Sequence, residues 1–382
     1  MDYTRSSFLP WRMTEARELM GLSKVELAEG LGVSRGAVSQ FESGQTRPSA
    51  ETFARLSIIL RQDPVFFLHA PERNSVQPRI SYRKRAANAA SNERIARIKA
   101  LHTNDVLNYV FSRIIENAPD IPDSLYEDSP ETLSDFDIEA KALLLRDAWG
   151  IGDLPIRNLA ILLENHGIIC VNDELPDKVE AFSYWVDLTG NGVAHPIIIG
   201  NQEKTYFRQR FTLAHEVGHL ILHRYVDDYE IENNPSLYEQ QANRFASAFL
   251  MPEQRFTYSL YSTTLNALPA QKKRWGVSIG AIVERLKDLG IIDGDRYRFY
   301  QVELSRRHWR KNEPYDRETP REESYYLNKA FQFISDQHLG SAADCVSFTG
   351  LRREELARIS SNPLLFLGDS VPVQLNFSPY KA

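Results

Sequence analysis

The chain has only two cysteines in 382 residues, Cys170 and Cys345, far apart and in apolar or mixed surroundings. This excludes a disulfide framework and a cysteine-based zinc site, and it fits a reducing cytosol. No uninterrupted apolar run reaches the ~20 residues that a membrane-spanning helix needs. The start, Met1-Asp-Tyr-Thr-Arg, lacks the apolar core of a secretory signal. A soluble, cytoplasmic protein without a membrane partner is expected. The length exceeds one average core and points to two or three domains, each large enough to bury apolar surface unaided. Net charge is −6, but residues 1–100 hold 16 Lys and Arg against 10 Asp and Glu, a balance of +6 that leaves −12 for the remainder. Such asymmetry suggests an anion-binding front end.

One stretch carries chemistry: Thr212-Leu-Ala-His215-Glu216-Val-Gly-His219-Leu-Ile-Leu-His223. Histidines four apart share one helical face at the separation at which two imidazoles can hold one tetrahedral metal ion. The glutamate between them stands where it can deprotonate a metal-bound water. Two imidazoles and a water leave one position to fill. Downstream, Leu237–Met251 reads as a helix on which Glu239 and Asn243 share a face, so that Glu239 can complete the metal set while Asn243 orients a histidine. Gly218 within the first helix costs about 1 kcal/mol relative to alanine, which suits a position where another backbone passes close.

The front end is punctuated as a helix-turn-helix. Ser23 with Glu26 forms a capping box for a helix ending at Gly30. After Leu31-Gly32-Val33, Ser34 caps a second helix that stops at Gly44. On it Val38 and Phe41 face the core, while Arg35, Gly36, Ser39 and Gln40 lie outside, where they can reach base edges. Between these regions, Arg79–Arg85 could touch phosphate but reads better as a strand with solvated arginines, and Asn92–Ala118 reads as a helix. Helices over Ile138–Trp149 and Ile156–Asn165 come next, then strands over Gly167–Val171, Phe182–Val186 and Ala194–Gly200. The sheet could offer an edge strand to a peptide or serve only as core for the metal-site helix.

Residues Ala16–Leu68 resemble the Cro/C1-type (XRE) DNA-binding domains of phage repressors. The resemblance implies Arg35, Gly36 and Gln40 as base-contacting residues, Lys24 and Arg47 as phosphate-contacting ones, and Arg17 with Glu42 as a structural ion pair. Arg210–His223, together with Glu239–Pro252, resembles the ImmA/IrrE metallopeptidases, a gluzincin-like family. That resemblance extends to Lys273–Gly290 and Trp309–Pro314. It implies Zn²⁺ as cofactor, His215, His219 and Glu239 as ligands, Glu216 as general base and Asn243 behind the ligands. His223 is read as structural or supporting. For the group that polarises the substrate carbonyl, Tyr184, His195, Arg208 and Tyr225 remain open.

The expected architecture is multidomain: an all-α helix-turn-helix domain (1–70), a linker and helical connector (71–135), an α+β zincin-like metallopeptidase domain (136–315) and a helical C-terminal region (316–382). The expected function is that of a DNA-binding transcriptional regulator with a zinc endopeptidase that cleaves a repressor-type protein. The alternative is a toxin–antitoxin regulator whose zinc domain binds a partner or senses stress with little proteolysis. Implied partners are double-stranded operator DNA, an XRE-type regulator or a toxin, and a second copy in a homodimer.

Overall fold

The computed structural model describes residues 8–71, 89–115, 117–127, 129–176, 179–202 and 204–368. The strand expected over Arg79–Arg85 lies outside them. In chain order the helices are α1 (Pro10–Leu19), α2 (Lys24–Leu31), α3 (Arg35–Glu42), α4 (Ala50–Ile59), α5 (Ala89–Phe111), α6 (Asp135–Ala148) and α7 (Leu159–Asn165). Strands β1 (Ile169–Asp173), β2 (Ala181–Val186) and β3 (His195–Asn201) come after them. Then come α8 (Tyr206–Leu222), α9 (Asp228–Asn233), α10 (Pro235–Leu250), α11 (Glu253–Ser259), α12 (Leu268–Trp275), α13 (Ile279–Asp288) and α14 (Gly294–Arg306). The chain closes with α15 (Tyr326–Asp336), α16 (Ala342–Thr349), α17 (Arg353–Ile359) and α18 (Pro363–Leu367). A helical front end, a helix-rich region with one small sheet and a helical C-terminal region are therefore the architecture.

Two compact units arise, and the first is not continuous in sequence: of the described residues it gathers 8–71, 101–115 and 327–368. Its buried seam is ionic. Arg12, fully buried, lies 3.2 Å from the Glu15 carboxylate and 3.7 Å from Asp105, and donates to the Thr349 carbonyl at 2.9 Å. His102 Nδ1 stands 2.7 Å from Glu355, and Nε2 is 3.6 Å from Glu15. Burial alone would lower the His102 pKa, but the Glu355 and Glu15 carboxylates outweigh it and raise it. Charges this deep need partners, and here α1, α5, α16 and α17 supply one another's.

The second unit takes the described residues of 89–100 and 117–326. Its sheet has the order β1-β3-β2, with β1 parallel and β2 antiparallel to β3. Side chains alternate across a strand. Ser183 points to α8, whereas its neighbour Tyr184 points the opposite way and donates to the Ala100 carbonyl of α5. Helix α8 lies on the sheet and crosses α10 closely. A methyl group on Gly218 would meet the Ala242 Cα at 3.1 Å and its carbonyl at 3.2 Å, which is the close backbone approach that its sequence position suggests. Helix α5 ends at Phe111, short of the expected Ala118: the side chains of Ser112 and Arg113 turn back onto the Tyr109 carbonyl at 2.8 and 2.9 Å, taking the acceptor a further turn would use.

Candidate metal centre and DNA-binding helix

Helix α8 begins after Thr205 and carries His215 and His219 on one face, with Leu213, Ala214, Val217, Leu220 and Ile221 buried on the other. Helix α10 starts at Pro235, a residue suited to the first helical turn, and presents Glu239 and Asn243 toward α8. Among the described residues, His215, His219 and Glu239 form the one group of three or more potential ligands, with all ligand atoms within 4.8 Å. The two Nε2 atoms are 3.1 Å apart, and each lies 3.8 Å from a different Glu239 oxygen. Tetrahedral ligands about 2.0–2.2 Å from an ion stand roughly 3.3–3.6 Å from one another, so this set fits a small divalent cation.

Hydrogen bonds behind the ligands fix which nitrogen carries the proton. His215 Nδ1 meets Asn243 Oδ1 at 3.0 Å, which leaves Nε2 its lone pair. His219 is held by a longer chain that the sequence did not disclose. The Gln241 amide nitrogen donates to the Pro130 carbonyl at 2.5 Å, so its oxygen must face His223 Nε2, 3.0 Å away, and accept from it. His223 Nδ1 is then an acceptor, and His219 Nδ1, 2.8 Å away, is the donor. Burial holds the His223 pKa down at about 4, which keeps this ring neutral as the chain requires. Gln241, 3 % exposed, shows only the helical spacing of a core residue, and nothing in the sequence ties it to a histidine 18 residues earlier.

Glu216 is buried beside the group. Burial raises its pKa to about 8, the Ser183 hydroxyl opposes that, and the nearby Glu239 charge adds to it. Ser183 of β2 donates to Glu216 Oε2 at 2.7 Å. The sequence pattern marks Ser183 only as one residue of a strand.

In the front end, Ser23 and Glu26 form the expected capping box and Ser34 accepts from the Ala37 N–H. Val38 and Phe41 are buried, Arg35, Gly36, Gln40 and Arg47 are exposed, and Ser39 is half-buried. The Arg17 Nε donates to Glu42 at 2.6 Å. Lys24 Nζ also meets Glu42, at 2.9 Å, so its charge is partly engaged within the domain.

Comparisons with known proteins cover both regions. The helix-turn-helix family matches residues 13–67, and the family described as IrrE N-terminal-like domain matches residues 163–287. The chain thus joins a region similar to helix-turn-helix domains to an IrrE-like domain. A comparison with curated proteins found no match. Among the described residues no helix is long and apolar enough to cross a membrane.

Within the IrrE-like domain the four candidates for polarising a carbonyl separate. Tyr184 and His195 are buried on the sheet face turned away from α8. Tyr225 is 55 % exposed and packs against Tyr126. Arg208, whose guanidinium donates to the Arg310 carbonyl, lines a cleft of about 680 Å³ together with Asn243, the partner of His215, and Gly280, Glu284 and Lys287 of α13.

Proposed function

We propose that the protein is a DNA-binding regulator whose IrrE-like domain is a zinc-dependent endopeptidase. The observation that carries this reading is the convergence of His215 Nε2, His219 Nε2 and the Glu239 carboxylate, each imidazole fixed from behind, with Glu216 alongside. Zn²⁺ bound there would supply Lewis acidity toward a peptide carbonyl and acidify a water. The protein's own residues do the rest. With a cation held beside it, Glu216 would be ionised at neutral pH, accept the water proton and deliver it to the departing amine. Asn243 holds His215, and the His223–Gln241 chain holds His219. Among the described strands β2 pairs with β3 on one side only, so its other edge can take up an extended peptide as an added strand. Arg35, Gly36, Ser39 and Gln40 of α3 face base edges in this reading, and Lys24 and Arg47 face phosphate.

The substrate we infer is a repressor-type DNA-binding protein. A homodimer reading two half-sites suits the helix-turn-helix. Metal analysis of the purified protein should give one zinc per chain, lost in His215→Ala. Glu216→Gln should keep zinc and DNA binding while lowering cleavage by about 10²–10⁴-fold, and the same variant, used as a trap, should retain its target. Cleavage surviving Glu216→Gln would overturn the assignment. An antitoxin reading would require that the trap hold a toxin and that the unaltered protein leave it intact.

A further inference from the structure

Metal ligands alone do not place a general base. A glutamate side chain has three rotatable bonds, and on α8 the Glu216 carboxylate must be directed to one spot beside the ligands if it is to meet a water there. Ser183 is the residue positioned to do this. It is 4 % exposed, sits in the middle of β2 opposite Ile198, and is carried by the strand face that packs on α8. Its hydroxyl has one proton and two acceptors in reach: the Glu216 carboxylate oxygen Oε2 at 2.7 Å and the Glu216 backbone carbonyl at 3.4 Å. The shorter bond, to the side-chain oxygen, takes the proton. A strand paired over its whole length with β3 is a rigid mount, whereas a water in this position could exchange.

We propose that Ser183 is a positioning residue for the peptidase reaction: its hydroxyl ties one oxygen of Glu216 to the edge strand, which would leave the other for a water beside a Zn²⁺ held by His215, His219 and Glu239. This rests on the zinc-peptidase reading above. It also couples the base to the strand on which the substrate is proposed to lie, since β2 holds Glu216 with the Ser183 side chain and would hold the peptide along the side that pairs with no other described strand.

The test is binding of acetohydroxamic acid to the full-length, zinc-loaded protein, a probe that occupies the metal and hydrogen-bonds the neighbouring carboxylate. Ser183→Ala should keep one zinc per chain and weaken the hydroxamate by roughly tenfold, the loss of one buried hydrogen bond to the Glu216 side chain. Ser183→Thr, which keeps the hydroxyl, should restore most of the affinity. In a Glu216→Gln background, Ser183→Ala should change affinity by less than about twofold, because the carboxylate through which it acts is gone. With a cleavable target, Ser183→Ala should lower kcat more than it alters KM. Zinc-loaded Ser183→Ala binding like the unaltered protein, an equal loss in the Glu216→Gln background, or loss of the zinc itself would each overturn the proposal alone. An unaltered protein that takes up no zinc would overturn both the proposal and the reading beneath it.

Discussion

Two turns of nearly the same sequence stand in the two units. Gly32-Val-Ser-Arg-Gly-Ala-Val38 and Gly276-Val-Ser-Ile-Gly-Ala-Ile282 differ at two of seven positions. Their backbones agree as closely: the glycines have φ 71°, ψ 33° and φ 66°, ψ 34°, and the capping serines φ −74°, ψ 154° and φ −67°, ψ 155°. The helices after the two bends differ in environment. Helix α3 exposes Arg35, Gly36 and Gln40. Helix α13 places Ile279 and Val283 in the core at the positions of Arg35 and Ser39, and Glu284 at the position of Gln40. Even the helix start is used differently, since the Ile279 and Gly280 N–H groups donate to the Glu313 carboxylate at 2.7 and 3.1 Å, where a DNA-reading helix would keep its N-terminus for phosphate. Local sequence thus specifies a helix-turn-helix bend twice, and only the residues facing outward decide whether it can read DNA.

The two bends differ most in what surrounds their glycines. A Cβ on Gly276 would lie 2.6 Å from Arg210 Nε. That guanidinium cannot step aside, because it is fully buried and bonded to the Gly276 carbonyl, to Glu322 and, at 2.8 Å, to the Ile156 carbonyl. A Cβ on Gly32 would meet only Arg55, with Nη1 nearest at 3.5 Å. Gly276→Ala should therefore cost the IrrE-like domain about 3–5 kcal/mol, adding disruption of a buried charge to the left-handed backbone penalty. Gly32→Ala should cost about 1–2 kcal/mol, the backbone penalty alone. Hydrogen exchange resolved by domain measures both. Equal losses would mean that Arg210 can relocate.

Next in size is the effect of the outward faces. Arg35→Ala and Gln40→Ala should each weaken operator binding by about ten- to a hundredfold in a mobility-shift titration while leaving thermal stability unchanged. Glu284→Gln, at the matching place in α13, should leave DNA affinity unaltered. A loss of DNA binding with Glu284→Gln would show that the second bend takes part in recognition after all.

Much of this was legible in the sequence because it is local. The Ser23–Glu26 capping box, the Ser34 cap, the three strands and the i, i+4 spacing of His215 with His219 and of Glu239 with Asn243 are set by neighbours a few residues away. Gly218 was legible too, because a glycine inside an otherwise strong helix needs a reason. What the sequence hid depends on residues far apart. The ring of Arg12, Glu15, His102 and Glu355 joins positions hundreds of residues distant, so the return of the C-terminal helices to the front end had no local signal. Ser183 and Gln241 look like any strand and helix residue until folding sets them against Glu216 and His223. Even the kinship of the two bends lies open in the letters Gly-Val-Ser-x-Gly-Ala, yet the burial that separates their roles does not.

The smallest effect concerns the point at which the two bends should agree. Ser34 Oγ accepts from the Ala37 N–H at 3.1 Å, and Ser278 Oγ accepts from the Ala281 N–H at the same distance. Each satisfies one donor at a helix start, and each is flanked by the same glycine and valine. Ser34→Ala and Ser278→Ala should therefore each cost about 1 kcal/mol in their own domain. The surroundings give two reasons for a departure. Water can replace the lost acceptor at the exposed start of α3, which would lower the first cost, whereas Glu313 already takes two N–H groups at the start of α13 and could shift to take a third, which would lower the second. Unfolding measured separately for the two domains distinguishes them: a smaller loss at Ser34 assigns the compensation to solvent, and a smaller loss at Ser278 that returns to full size in a Glu313→Gln background assigns it to that carboxylate.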